Sequence, residues 1–90
     1  MRVLFATSEA HPLIKTGGLA DVSGALPKAL TQIANGKNVD IKIIIPGYKA
    51  VLTKVRQAEA IATIGVFGYT CKILLGKMPD SGLDVIIVQN

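Results

Sequence analysis

The sequence predicts an α/β fold built around a parallel sheet. Three observations carry that expectation. Apolar, strand-forming runs stand at Val3 to Ala6, Val39 to Ile45 and Leu83 to Val88; a helical pattern lies between the first two; and a glycine-bearing loop joins the first strand to that helix. The runs are apolar on both faces, as strands covered by helices on each side are.

In chain order, Arg2 to Thr7 reads R-V-L-F-A-T and forms the first strand. Ser8 to Gly18 is a long loop containing Pro12 and the pair Gly17-Gly18, and it leaves the strand at its carboxyl end, where open α/β sheets bind ligands. Apolar residues then recur at Leu19, Val22, Leu26, Ala29, Leu30 and Ile33, close to one face of a 3.6-residue period, so a helix runs to about Ala34 with that face against the sheet. Pro27 removes a backbone donor and is expected to kink or split the helix near Gly24. Asn35-Gly36 supplies a left-handed stop.

Val39 to Ile45 is the second strand, ended by Pro46-Gly47. Strand, helix and strand make a βαβ unit. Ala50 to Ala60 carries Val51, Leu52, Val55 and Ala58 at helical spacing, a short helix. From Ile61 to Leu75 the chain is β-rich and interrupted by Gly65 and Gly68, which predicts a hairpin turning at Val66-Phe67-Gly68 at the sheet edge. Met78 to Gly82 is a turn, and Leu83 to Val88 a further strand apolar on both faces. A strand of that kind needs a covering helix, and none follows it. Together with 50% hydrophobic residues in 90, more than a small domain easily hides, this gives the expectation of a truncated piece of a larger α/β domain, residues 1–90 forming its N-terminal portion.

The chemistry concentrates in Lys15-Thr16-Gly17-Gly18-Leu19-Ala20-Asp21-Val22. Glycines in such a turn allow close backbone approach to a ligand. The helix start adds unpaired N-H donors and partial positive charge, which favour an anion such as phosphate, and Lys15 adds a full charge. The pattern is neither a Walker loop nor G-x-G-x-x-G, and by itself it also fits a plain tight turn. Thr16 lies within the loop. Tyr48 and Lys49 follow the second strand on the same edge of the sheet, where they line the cleft or form an exposed turn. His11 is the lone histidine, a loop residue within reach of a ligand but without partners for a metal site.

Composition excludes several classes. The ten basic residues against six acidic give a charge of +4, yet they are scattered singly and aromatic residues make up only 4%; a nucleic-acid platform wants clustering and stacking rings. The lone Cys71 permits no internal disulfide and reads as a buried thiol in a reducing compartment. No segment approaches the roughly 20 apolar residues of a membrane span, and the N-terminal run is too short for a signal peptide. The expected location is the cytoplasm.

The stretch S-E-A-x-P-L-I-K-T-G-G-L-A-D-V-x-G-A-L-P-K-A-L, then I-I-I-P-G-Y and P-D-S-G-L-D-V-I-I-V-Q-N, resembles the N-terminus of bacterial glycogen synthases and plant starch synthases. The resemblance runs through nearly the whole chain and is strongest from Ser8 to Leu30. It implies a GT-B fold, whose Rossmann-like parallel sheet with a hairpin excursion is here incomplete. It further implies retaining transfer of glucose from ADP-glucose, or UDP-glucose in some members, to an α-1,4-glucan such as glycogen, with no cofactor beyond that donor and no metal. By the same resemblance, Lys15 is the phosphate partner and Gly17 and Gly18 are close backbone contacts. Asp21 matches a motif acid, though a first-turn carboxylate favoured by the helix dipole explains it equally. His11 and Lys37-Asn38 depart from the family pattern. The C-terminal domain and its catalytic groups fall outside these residues, so the 90-residue piece is expected to be inactive alone. Alternatives are a non-catalytic fragment that binds a nucleotide sugar or self-associates through exposed apolar surface, and a related sugar-nucleotide transferase.

Overall fold

Among the described residues, five strands and two helices are arranged in the order β1 (Arg2–Ala6), α1 (Gly18–Ile33), β2 (Asp40–Pro46), α2 (Lys49–Lys54), β3 (Arg56–Val66), β4 (Tyr69–Lys77) and β5 (Asp84–Gln89). The structure, a computed structural model, describes residues 2–33 and 40–89. The expected stop at Asn35-Gly36, Lys37-Asn38 and the start of the second strand at Val39 lie outside the described residues.

The strands form one sheet in the order β1-β2-β5-β4-β3. The first three are parallel: Phe5 lies opposite Ile43, and Ile43 opposite Val85. The hairpin β3-β4, encoded between β2 and β5, folds outward and pairs antiparallel to β5 through Leu75 and Ile86. A parallel sheet with a hairpin excursion is thus observed. The turn falls at Phe67-Gly68 with φ of 50° and 82°, the two left-handed residues that a two-residue hairpin loop requires. Gly68 takes this without strain, while Phe67 adopts a conformation its Cβ disfavours and is 95% exposed.

Side chains alternate along each strand, and among the described residues one side of the sheet is closed. Ile43 and Ile45 of β2 and Val85 and Ile87 of β5 bury their side chains against Ala10 and Leu13 of the first loop, Val51 of α2 and Met78. Each such residue contributes about 1.5–3 kcal/mol by leaving water. On the other side Ile44, Ile86 and Val88 are half-buried and Leu4 is exposed. Among the described residues, one layer of loop and helix covers one side of these strands, and no element covers the other.

Three further expectations are revised. Pro27 does not split α1, which runs unbroken from Gly18 to Ile33. Removing one N-H deprives only the Ser23 carbonyl of its partner four residues on, and the Thr31 hydroxyl donates to the Pro27 carbonyl at 2.9 Å. The helix predicted from Ala50 to Ala60 stops at Lys54, because Val55 is already extended (φ −66°, ψ 139°) and Arg56 pairs with Lys77. Within β3, Gln57 adopts φ 56° where the register shifts between Arg56 and Glu59, a bulge. Cys71 is half-buried rather than buried; it sits on the part of the hairpin nearer its tip than Lys72, the first β4 residue to pair with β5.

The apolar stripe of α1 is also turned differently from expectation. Leu19, Val22, Leu26 and Leu30 are 53%, 55%, 41% and 40% exposed, whereas Ala20, Ser23 and Pro27 are buried. The helix docks by its small residues. A Cβ added to Gly24 would lie 2.3 Å from the His11 carbonyl oxygen, so no larger side chain fits there.

At the amino ends of the parallel strands a charge cluster crosses the open side. Lys42 lies 3.1 Å from Asp40 and 3.4 Å from Asp84, and Asp84 is also paired with Lys77. The hydrogen bond from Lys77 holds the Asp84 carboxyl below its ordinary value, opposed by partial desolvation and aided by Lys42. The hydrogen bond to Asp40 likewise raises Lys42.

Candidate functional site

The loop from Thr7 to Gly17 is not slack, because hydroxyl groups tie it at both ends. The Thr7 hydroxyl donates to the Glu9 carbonyl at 2.7 Å, accepts from the Glu9 amide at 3.3 Å and meets the Ser23 hydroxyl at 2.9 Å. A hydroxyl has one proton and two lone pairs. Since that proton is given to the Glu9 carbonyl, Ser23 is the donor in the bond to Thr7. The fully buried Ser23 is thereby satisfied, and α1 is fixed to the end of β1.

The middle of the loop turns on itself. The amides of Leu13 and Ile14 both donate to the Ala10 carbonyl, at 2.8 and 3.1 Å, and the His11 amide donates to the Ala20 carbonyl of α1 at 2.9 Å. The His11-Pro12 peptide is cis. Ala10 and Leu13 are completely buried and anchor this turn in the core.

At its far end the loop closes onto Glu9. The Glu9 carboxylate accepts from the Thr16 amide at 3.1 Å and from the Thr16 hydroxyl. These bonds, the side-chain one first, hold its carboxyl below the ordinary 4.5, with a weaker contribution from the Gly17 amide. Lys15 projects away and pairs with Asp21 of the first turn of α1 at 3.0 Å, both side chains being about half exposed. An ion pair in that setting stabilises by only about 0–1 kcal/mol, so the ammonium, with three donors, is free to redirect one toward an anion.

Gly17 and Gly18 have free space around them. A Cβ built on either would have no heavy atom within 4 Å, and neither adopts a positive φ. The backbone angles therefore do not require glycine at either position; in this fold the pair leaves the backbone unobstructed.

The expected site residues are brought together in part. Lys15, Thr16, Gly17, Gly18 and Asp21 share one end of α1, with the exposed Thr16 hydrogen-bonded to Glu9. His11 and Asp21 line a polar concavity of 400 Å³ along α1, together with Gly24, Lys28, Gln32 and Asp80. A separate, mostly apolar groove of 530 Å³ lies at the carboxyl ends of the parallel strands, lined by Ala6, Thr7, Ser8, Ile44, Ile45, Pro46 and Val88. That edge is where ligands of open α/β sheets sit. Tyr48 lines neither; it is a partly exposed residue whose carbonyl accepts from the Leu52 amide at the start of α2. Among the described residues no group of three or more His, Cys, Asp or Glu is placed to hold a metal ion, and no helix is long and apolar enough to cross a membrane.

Sequence reasoning passed over Glu9, Thr7 and Ser23. The available signal was a T-S-E sequence at the end of a strand, seven residues before a threonine in the glycine loop. Only the folded loop reveals that the two ends meet.

Residues 2–90 match the family model for the starch synthase catalytic domain. The glycogen synthase of Paramagnetospirillum magneticum is 47% identical over 92 residues, and that of Thioalkalivibrio sulfidiphilus 43% identical over 92 residues; each alignment takes in 99% of this chain and 18% of the relative. The chain therefore spans under a fifth of the length of these curated relatives. The catalytic domain of starch synthase IV from Arabidopsis thaliana, solved bound to ADP and acarbose, superposes with a TM-score of 0.74 at 32% identity, covering 97% of this chain and 17% of that one.

Proposed function

The chain belongs to the starch synthase catalytic domain family, and on that premise we propose that it contributes the donor-holding loop of a glycogen synthase, which transfers glucose from ADP-glucose to an α-1,4-glucan with retention. The fold is part of a GT-B fold. In such a reaction the bond from the glucosyl carbon to the diphosphate breaks, a bond to the acceptor hydroxyl forms, and ADP departs.

The observation that carries this reading is the open space around Gly17 and Gly18 beside Lys15. Glycine is well accepted at a helix N-cap, the position of Gly17, but it loses more conformational freedom on folding than any other residue, and neither neighbours nor backbone angles here require the pair. Close approach of a ligand from the outer side does. Lys15, giving up Asp21 as its partner, supplies charge to the diphosphate, and the first N-H groups of α1 supply donors; Asp21, which only accepts when ionised, is left to the hydroxyl donors of the sugar. No residue among the 90 is assigned as nucleophile or general acid.

Calorimetric titration of the chain with ADP-glucose, repeated with UDP-glucose and on Lys15→Ala, tests the assignment. Losing a charge-assisted hydrogen bond should weaken binding by about tenfold or more; equal affinity in the variant removes Lys15 from the site. Stabilising the leaving diphosphate needs donors on both sides of a water-excluding cleft, and Lys15, Gly17 and Gly18 are exposed to solvent. The isolated 90 residues are thus expected to bind without transfer, and incorporation of labelled glucose into glycogen at ordinary enzymatic rates would overturn that clause.

A further inference from the structure

We propose that Glu9 is a positioning residue that clamps the segment Thr16–Gly18 in one conformation, so that Lys15 and the start of α1 face outward together. The proposal rests on reading that segment as the donor loop.

Glu9 and Thr16 are the two ends of an otherwise independent turn. Between them Ala10 to Ile14 is held by its own hydrogen bonds and by burial of Ala10 and Leu13, but nothing in that turn fixes Thr16. The Glu9 carboxylate does, by taking both the amide and the hydroxyl proton of Thr16. Glu9 is in turn fixed through its backbone, whose carbonyl and amide both bond the Thr7 hydroxyl, and Thr7 is held by buried Ser23. A continuous chain Ser23–Thr7–Glu9–Thr16 thus runs from α1 through the end of β1 and back to the residue before the glycines. It ties the first turn of the site to the helix that carries it.

The clamp also divides the donors. The Thr16 amide is spent on Glu9, so ligand donors are left to Lys15 and to the helix start at Gly18. A carboxylate is suited to this role because it accepts from two donors at once and offers none. The groups acting on it are uncharged donors of the loop; the ionisable residues nearby on the loop and on α1, His11, Lys15 and Asp21, do not figure among the causes of its lowered titration.

The test uses the ¹⁵N-labelled chain. As pH is lowered from 7 to 3, the Thr16 and Gly17 amide resonances should shift together with a midpoint below 4.5, and this transition should vanish in Glu9→Gln. Titration with ADP-glucose at pH 7 should show affinity reduced about tenfold in Glu9→Ala, less in Glu9→Gln, which keeps one acceptor, with the melting temperature of both variants close to that of the parent. Amides that do not follow Glu9 overturn the clamp. If they follow it while Glu9→Ala binds ADP-glucose as tightly as the parent, positioning is overturned and the donor site stands. If the parent itself does not bind, the donor reading falls, and the amide titration still decides whether Glu9 holds the loop.

Discussion

Ile43 and Ile45 on β2 are each 1% exposed, while Ile44 between them remains half-buried on the opposite side of the sheet. The same contrast runs through α1, where Ala20, Ser23 and Pro27 are enclosed and four large aliphatic residues are left in solvent. The two sides have similar composition and differ in what is built over them. The closed side is held by packing, so its stability comes from shape; the open side is held at one end by the Lys42–Asp84–Lys77 charges and tolerates change.

Three measurements sharpen that contrast or break it. The largest effect is expected from Ile43→Ala, about 2–5 kcal/mol by denaturant unfolding because the cavity cannot collapse, against about 1 kcal/mol or less for Ile44→Ala. Equal losses would mean that the open side is covered in solution. Next, Gly24→Ala should destabilise by about 1–3 kcal/mol, since its Cβ would strike the His11 carbonyl oxygen, whereas Gly17→Ala should stay within about 0.5 kcal/mol and affect ligand binding instead.

The smallest effect concerns the charges. Asp84→Asn should lose about 1 kcal/mol, discounted for the half-exposed lysines. Because the folded Asp84 titrates below its ordinary 3.8, its contribution is fully present above that value and lost as pH falls through the depressed one. The variant should lack this part of the acid unfolding profile, and added salt should narrow the difference. A profile identical to the parent would show that the cluster contributes nothing.

Much of the fold was legible because local chemistry specifies it. The apolar runs marked three parallel strands, Gly68 marked the hairpin turn, and Pro46 the end of β2. The misread elements are those where distant contacts prevail. Val55 lies in a helical pattern but is drawn into extended backbone as Arg56 takes up pairing with Lys77, and the leucines of α1 marked a helix without marking which side docks. At the site, Lys15, Gly17, Gly18 and Asp21 were visible as residue types in sequence, but Glu9 was not, since its partner is seven residues away across a turn.

The sequence by itself determined the order of elements, the parallel pairing implied by strand, helix and strand, and the family, since each depends on residues near one another in the chain. The tertiary structure alone decided which face of each element is buried and which carboxylate holds the glycine loop. Burial depends on whether another element is there to exclude water, and a side-chain hydrogen bond depends on two distant segments being brought within about 3 Å. No local pattern encodes either.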